Sequence, residues 1–117
     1  MDLNTFLQKL ENTPDSIAFS DTMAVIETMY EFTPAAFKNG DLMNEQGQNS
    51  GSCKLLAFAQ LQGFSAQQTL ACFGAYYRDD VLLHPGGTDH QNIRNFMKTG
   101  WAGIKFNSNP LKPRIAP

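Results

Sequence analysis

The chain has 117 residues, enough for one domain around a single core and too few for two. Its hydrophobic content of 42% is that of a globular protein, and with only 17% charged residues a disordered chain is excluded and the surface is left to Asn, Gln, Ser, Thr and Gly. Nine Lys and Arg against eleven Asp and Glu give a net charge of −2 without any basic run, so the electrostatic footprint of a nucleic-acid binder is missing.

In chain order, helix signals dominate. Leu3, Phe6, Leu7 and Leu10 recur at three and four and predict a short amphipathic helix, ended by ENTPDS. The same segment, MDLNTFLQKLE, carries acids where a cleaved secretory signal has Lys or Arg before an apolar run, so a cytosolic protein is expected. No apolar stretch reaches the roughly 18 residues of a membrane-spanning helix. Ser20 is the expected N-cap of DTMAVIETMYEF, whose Met23, Ile26, Met29 and Tyr30 share a face until Thr33-Pro34 stops the helix. Asn39-Gly40, between Phe37 and Leu42, signals a hairpin with short strands, and equally a helical turn capped by Gly40.

After the loop GQNSGS, the run CKLLAFAQLQG carries Leu55, Leu56, Phe58, Ala59 and Leu61 around most of its circumference, the mark of a central, surrounded helix. SAQQTLACFGAYYRD opens on a capping box of Ser65 and Gln68 and reads as one continuous helix, with Leu70, Phe73 and Tyr77 pointing one way. Thr88 with Gln91 reads as a second capping box that starts DHQNIRNFMKTG, with Ile93, Phe96, Met97 and Gly100 facing the core. Trp101 to Phe106 reads as a short strand, and NSNPLKPRIAP, 107–117, as an extended, frayed tail. The expected fold is a compact single α+β domain over 1–117, helix-dominated, with about five helices and a small β-hairpin or short-strand element.

Cys53 and Cys72 are too few for a disulfide scaffold, so two free thiols are expected. With Ser50 or Ser52 as N-cap, Cys53 falls in the first turn of the central helix, where unpaired N–H groups and the helix dipole favour an anion and Lys54 adds positive charge. His84 or His90 as base, oriented by Asp89 or Asn92, would make Cys53 a nucleophile for acyl transfer or a related hydrolysis. The competing reading is a buried structural thiol, since free cysteine is among the most buried residue types. Cys53, Cys72, His84 and His90 are spaced 19, 12 and 6 apart, without the close pairs of a zinc site, so no metal and no cofactor is expected.

The stretch YYRDDVLLHPGGTDHQNIRN gathers Tyr76, Tyr77, Arg78, both histidines, three aspartates and Arg94. Arg78 with Asp79 or Asp80, together with Asp89, is expected to brace VLLHPGG through an Arg–carboxylate link. Gly86-Gly87 could turn amides toward an anion, but Asp89 competes there, which leaves the acid-free start Gly51-Ser52-Cys53-Lys54 as the better anion site.

Taken together, the motifs NSGSCK, FGAYYRDDVL, HPGGTDHQNIRNFM and the following GW are similar to those of the HopJ family of bacterial type III effector proteins. The resemblance covers about Phe19 to Phe106 and implies a small effector-type protein of the bacterial cytoplasm, exported by a type III system and linked to virulence. It brings no catalytic residues. Type III substrates usually start with a flexible, Ser-rich signal, whereas the about 15 residues before the matching region read as helical and contain Asp2 and Glu11, so a resident cytosolic role competes with secretion.

Three functions are therefore in competition. The first is an interaction protein that binds a host or bacterial protein through Tyr76, Arg78, His84 and His90, side chains of the kinds that anchor interfaces. The second is a thiol enzyme built on Cys53, His84 or His90, and Asp89. The third is a binder of a small anion, and the candidate binding residues are Ser50, Gly51, Ser52, Lys54, Tyr76, Arg78 and Arg94. Neither nucleic acid nor membrane is an expected partner.

Overall fold

The structure, a computed structural model, describes residues 1–114. Helix α1 (Leu3–Asn12) turns Phe6 and Leu10 inward and is capped by Asp2, whose carboxylate accepts the Thr5 N–H at 2.8 Å. A 3-10 turn (Pro14–Ser16) leads to α2 (Phe19–Met29). Ser20 is not its cap. The N-cap is Ala18, and Asp21 reaches back to accept the Ala18 N–H at 3.0 Å, so the carboxylate three residues in does the work a capping side chain would do.

The second helix also ends before Thr33-Pro34. From Tyr30 the chain is extended as β1 (Tyr30–Phe32), which pairs antiparallel with a strand of the C-terminal segment (Leu111–Pro113), Phe32 facing Leu111. The segment after 106 is therefore no frayed tail over its described part, because Leu111 is fully buried and its strand completes a two-stranded sheet. Positions 115–117 of that expected tail lie outside the described residues.

The Asn39-Gly40 signal resolves as a hairpin. Strands β2 (Phe37–Asn39) and β3 (Leu42–Asn44) pair with Asn39 opposite Leu42, and β4 (Ile104–Phe106) adds to the other edge of β2. In chain order the C-terminal strand is then β5.

Helix α3 (Ser50–Gln62) runs through the middle, with Cys53 and Leu55 to Ala59 all buried. Leu61 is 53% exposed, so the apolar circumference stops short of the helix's last turn. Phe58 is its centre, meeting Phe6, Tyr30 and Phe64 edge-on at 6.0, 6.2 and 5.8 Å. Each such fully buried aromatic or aliphatic side chain contributes about 1.5–3 kcal/mol.

The next helix breaks where the sequence reads it as continuous. Helix α4 (Ala66–Ala71) keeps the Ser65/Gln68 capping box, then gives way to a turn at Gly74, with φ +64, and a π-helical segment (Tyr76–Val81) in which the Leu82 N–H reaches five residues back to the Tyr77 carbonyl at 3.0 Å. A β-carbon at Gly74 would sit 2.7 Å from the backbone nitrogen of Phe19, so the break is where the chain crosses the start of α2. Helix α5 (Gln91–Thr99) begins three residues after Thr88; Gln91 donates its amide to the Thr88 carbonyl, and no second capping box forms. A 3-10 turn (Gly100–Gly103) then delivers β4. The result is a helix-dominated α+β fold with short antiparallel strands in two small sheets.

Candidate functional site

The starts of α3 and α5 meet across one cleft. Their N-caps, Asn49 with φ +52 and His90 with φ +50, are the two non-glycine residues of positive φ among those described. Such backbone is strained for any side chain, least for Asn. Neither helix has a side-chain cap or an acid in its first turn, so both turn unpaired N–H groups and the positive ends of their dipoles outward.

A cluster of asparagines ties the two starts together. Asn44 Oδ1 accepts from Asn92 Nδ2 at 3.0 Å and from Asn49 Nδ2 at 2.6 Å. Asn92 Oδ1 in turn accepts from Asn44 Nδ2 at 3.1 Å and Asn39 Nδ2 at 3.0 Å. Asn39, Asn44 and Asn92 are buried and, apart from Asn39 Oδ1, which has no hydrogen-bond partner among the described residues, their amide oxygens are paired, so the hairpin clamps both helix starts in one arrangement.

The cleft has a volume of about 510 Å³ and is lined by Phe19, Asn49, Gly51, Ser52, Tyr76 and His90, with Gln91 and Asn92 at the α5 side. Tyr76 stands as its wall, 44% exposed, its ring 5.2 Å from Phe19 edge-on and 5.1 Å from His90. Phe19 and Tyr76 also line a second hollow of about 340 Å³, together with Ser20 and Arg78. His90 Nε2 is 3.0 Å from Asp80 Oδ2 and 3.8 Å from Asp89 Oδ2. A carboxylate only accepts, so Nε2 donates and Asp80 orients the ring.

Several expected site residues are elsewhere. Cys53 is 1% exposed and is not on the cleft; its thiol donates to the Ala35 carbonyl at 3.7 Å. Burial pushes this thiol up, against the smaller pull of the Ala35 contact and Lys54, and burial pushes Cys72 up to about 12. Both cysteines are free. Lys54 Nζ sits 4.9 Å over the Phe32 ring and does not line the cleft, and Ser50 only touches the Gly47 carbonyl at 3.5 Å. His84 is exposed on the loop between the π-helical segment and α5, also off the cleft.

The Arg–carboxylate brace exists, but on Arg94. That side chain, 8% exposed, donates to the Asp89 carbonyl and carboxylate at 2.6 Å each and to the His84 carbonyl at 2.9 Å, so it staples the 84–89 loop rather than binding a ligand. Arg94 holds the Asp89 carboxyl below the usual range, and Asp89 therefore serves the loop first and His90 second. Arg78 forms no ion pair among the described residues, and its Nη1 is buried without a hydrogen-bond partner there. Of the sequence-derived candidates, the fold brings Gly51, Ser52, Tyr76 and His90 to one cleft. Phe19 and Asn49 share its lining, and Asp80 contacts it only through His90. The signal for Asn49 was its place before Ser50; for Phe19 and Asp80 nothing local marked a site.

Residues 3–111 match the family model described as HopJ type III effector protein. The match is wider at both ends than the expected 19–106, so α1 lies inside the family region and does not precede it. The chain is also 54% identical to a solved structure described as "Crystal structure of unknown function protein VPA0580", with 97% of this chain and 95% of that chain covered and a TM-score of 0.95. The comparison with curated proteins returns no match. No helix among the described residues is long and apolar enough to cross a membrane.

Proposed function

The chain belongs to the HopJ family, and from that premise we propose that it is an effector-like binding protein that recognises a host or bacterial protein at the Tyr76 wall without covalent chemistry of its own. The observation that carries this reading is Tyr76 itself: an aromatic ring 44% exposed, in contact with Phe19 and His90 and lining two hollows. A rigid aromatic bordering pockets is the arrangement of an interface anchor, since it already has its conformation and loses little entropy on binding. Arg78 and His90 supply polar contacts at the two hollows.

The thiol-enzyme reading lacks its nucleophile at the cleft, because the Cys53 sulfur is in the core. One observation favours the small-anion reading instead, namely the two uncapped, acid-free helix starts facing the same space.

The test compares affinity capture by the wild-type chain, Tyr76→Ala, and Leu61→Ala, the last a distant exposed control. A partner retained stoichiometrically by wild type and Leu61→Ala and weakened about tenfold or more by Tyr76→Ala is expected. Equal capture by all three overturns the reading. NMR titration with inorganic phosphate and with acetate separates the anion reading: saturable shifts of the Ser50–Ser52 and Gln91–Asn92 amides support it, and their absence removes it.

A further inference from the structure

A third hollow forms where the end of α1 and the 3-10 turn after it meet α4 and the π-helical segment. Its volume is about 300 Å³, and opposite charges line it: Glu11 and Asp15 from α1 and the turn, Arg78 from the π-helical segment. These charges do not satisfy one another. Arg78 pairs with neither acid, and neither acid forms an ion pair with any described residue, since Lys9, two residues before Glu11, is engaged with Asp21 at 3.3 Å. Glu11 and Asp15 are exposed, but Arg78 is half-buried, and its Nη1 is closed to solvent with no acceptor among the described residues. A guanidinium keeps its charge, so a shielded donor without an acceptor is unfavourable. The acidic side is already in place: Ser16 Oγ donates to the Thr13 carbonyl at 2.7 Å and Thr13 Oγ1 to the Lys9 carbonyl at 3.2 Å, which ties the turn bearing Asp15 to the end of α1 bearing Glu11. Leu10, Pro14, Ala71 and Tyr77 give the same hollow an apolar lining.

We propose that this hollow binds a small zwitterion, an α-amino acid with an apolar side chain, its carboxylate taken by Arg78 and its ammonium by Glu11 and Asp15. A carboxylate matches the fork of a guanidinium and supplies the acceptor that Arg78 lacks, once the side chain turns Nη1 toward it. The charges themselves select the ligand class. A plain anion meets two carboxylates on the way to Arg78, and a plain amine meets the guanidinium, whereas a molecule with both groups neutralises both sides. Because Arg78 and the two acids share the hollow without pairing, a space is left for a ligand that bridges them. The volume suits a molecule of amino-acid size, being at the small end of ligand pockets. This site shares Arg78 with the hollow beside Tyr76 but does not include Tyr76, so it stands or falls separately from the protein-binding reading.

NMR titration of the full chain with L-leucine tests it, beside two probes that each lack one charge, 4-methylpentanoate without the amine and L-leucinamide without the carboxylate. L-Leucine is expected to give saturable shifts of the Glu11, Asp15, Gln67, Tyr77 and Arg78 amides with a Kd of about 0.01–1 mM, and the two probes to bind about tenfold or more weaker. Arg78→Gln weakens L-leucine binding about tenfold or more, as does the double variant Glu11→Gln/Asp15→Asn, while Tyr76→Ala leaves it unchanged. The Arg78 side chain forms no ion pair among the described residues and the two acids are exposed, so the variants are expected to fold, which far-UV circular dichroism checks. No saturable shift with L-leucine up to about 20 mM, about twentyfold above the weakest Kd expected, would overturn the proposal. So would equal binding of either single-charge probe, undiminished binding by Arg78→Gln or by the double variant, or an equal loss in Tyr76→Ala.

Discussion

At Cys53 two opposing effects act on one sulfur. The helix start favours a thiolate by about 0.3–1 kcal/mol, less than one pKa unit, whereas burial can raise a pKa by several units, about 3–5 at full burial. Burial wins, and geometry shows why: Cys53 is the fourth residue of α3, its N–H is already bonded to the Asn49 carbonyl at 2.9 Å, and its side chain is on the inward face. Cys72, fully buried, follows the same rule. Both thiols are therefore expected to resist iodoacetamide in the native protein at neutral pH and to label at ordinary rates only once the chain unfolds, read separately by peptide mass. Fast native labelling of Cys53 would return the nucleophile to consideration. The residue types around it were legible in the sequence, but a free cysteine in a first turn has the same letters whether it faces a cleft or a core.

Among the elements, the π-helical segment does most to build the site. Its wider turn carries Tyr76 to the Phe19 wall and Asp80 to His90, while Val81 stays in the core. It depends on the turn at Gly74, whose left-handed backbone lies against the Phe19 nitrogen. Gly74→Ala combines the left-handed penalty with a clash against backbone that cannot move aside, and is expected to lower stability by about 2–4 kcal/mol in a denaturant titration. Gly63→Ala is the matched control: φ +73 at the end of α3 with open space around it, so only the left-handed term remains, about 1–2 kcal/mol. Equal losses at the two positions would remove the proposed role of the Phe19 crossing. The sequence shows a helical period across 65–79 because apolar spacing alone does not register the π-turn; Gly74 is the one local mark of the break.

For the whole molecule, three carboxylates link folding to pH. Asp2, Asp21 and Asp89 are held below the ordinary value of 3.8, by the Thr5 backbone N–H, the Ala18 backbone N–H and the Arg94 side chain respectively. Below 3.8 the unfolded chain therefore binds protons that the native chain still refuses, so the stabilisation present above that value is lost as pH falls through the folded-state values. The thermal midpoint is expected to drop below about pH 4, and Asp21→Asn to flatten that drop, because the amide oxygen still accepts the Ala18 N–H but no longer titrates. An unchanged acid limb in that variant would separate Asp21 from the acid response. What the sequence by itself determined were the properties carried by neighbours along the chain: the fold class, a turn at Asn39-Gly40, a central helix over CKLLAFAQLQG, the Ser65/Gln68 box and, through the motifs in 49–101, the HopJ family. Only the tertiary structure decided where α2 stops, that 111–113 is a strand, which arginine braces the 84–89 loop, and that Ser52, Tyr76 and His90 share a cleft while Cys53 does not. Those outcomes rest on partners distant in sequence, on the β1–β5 pairing, the asparagine clamp and the Gly74 crossing, and the preferences of a local stretch contain no term for surfaces that meet it only after folding.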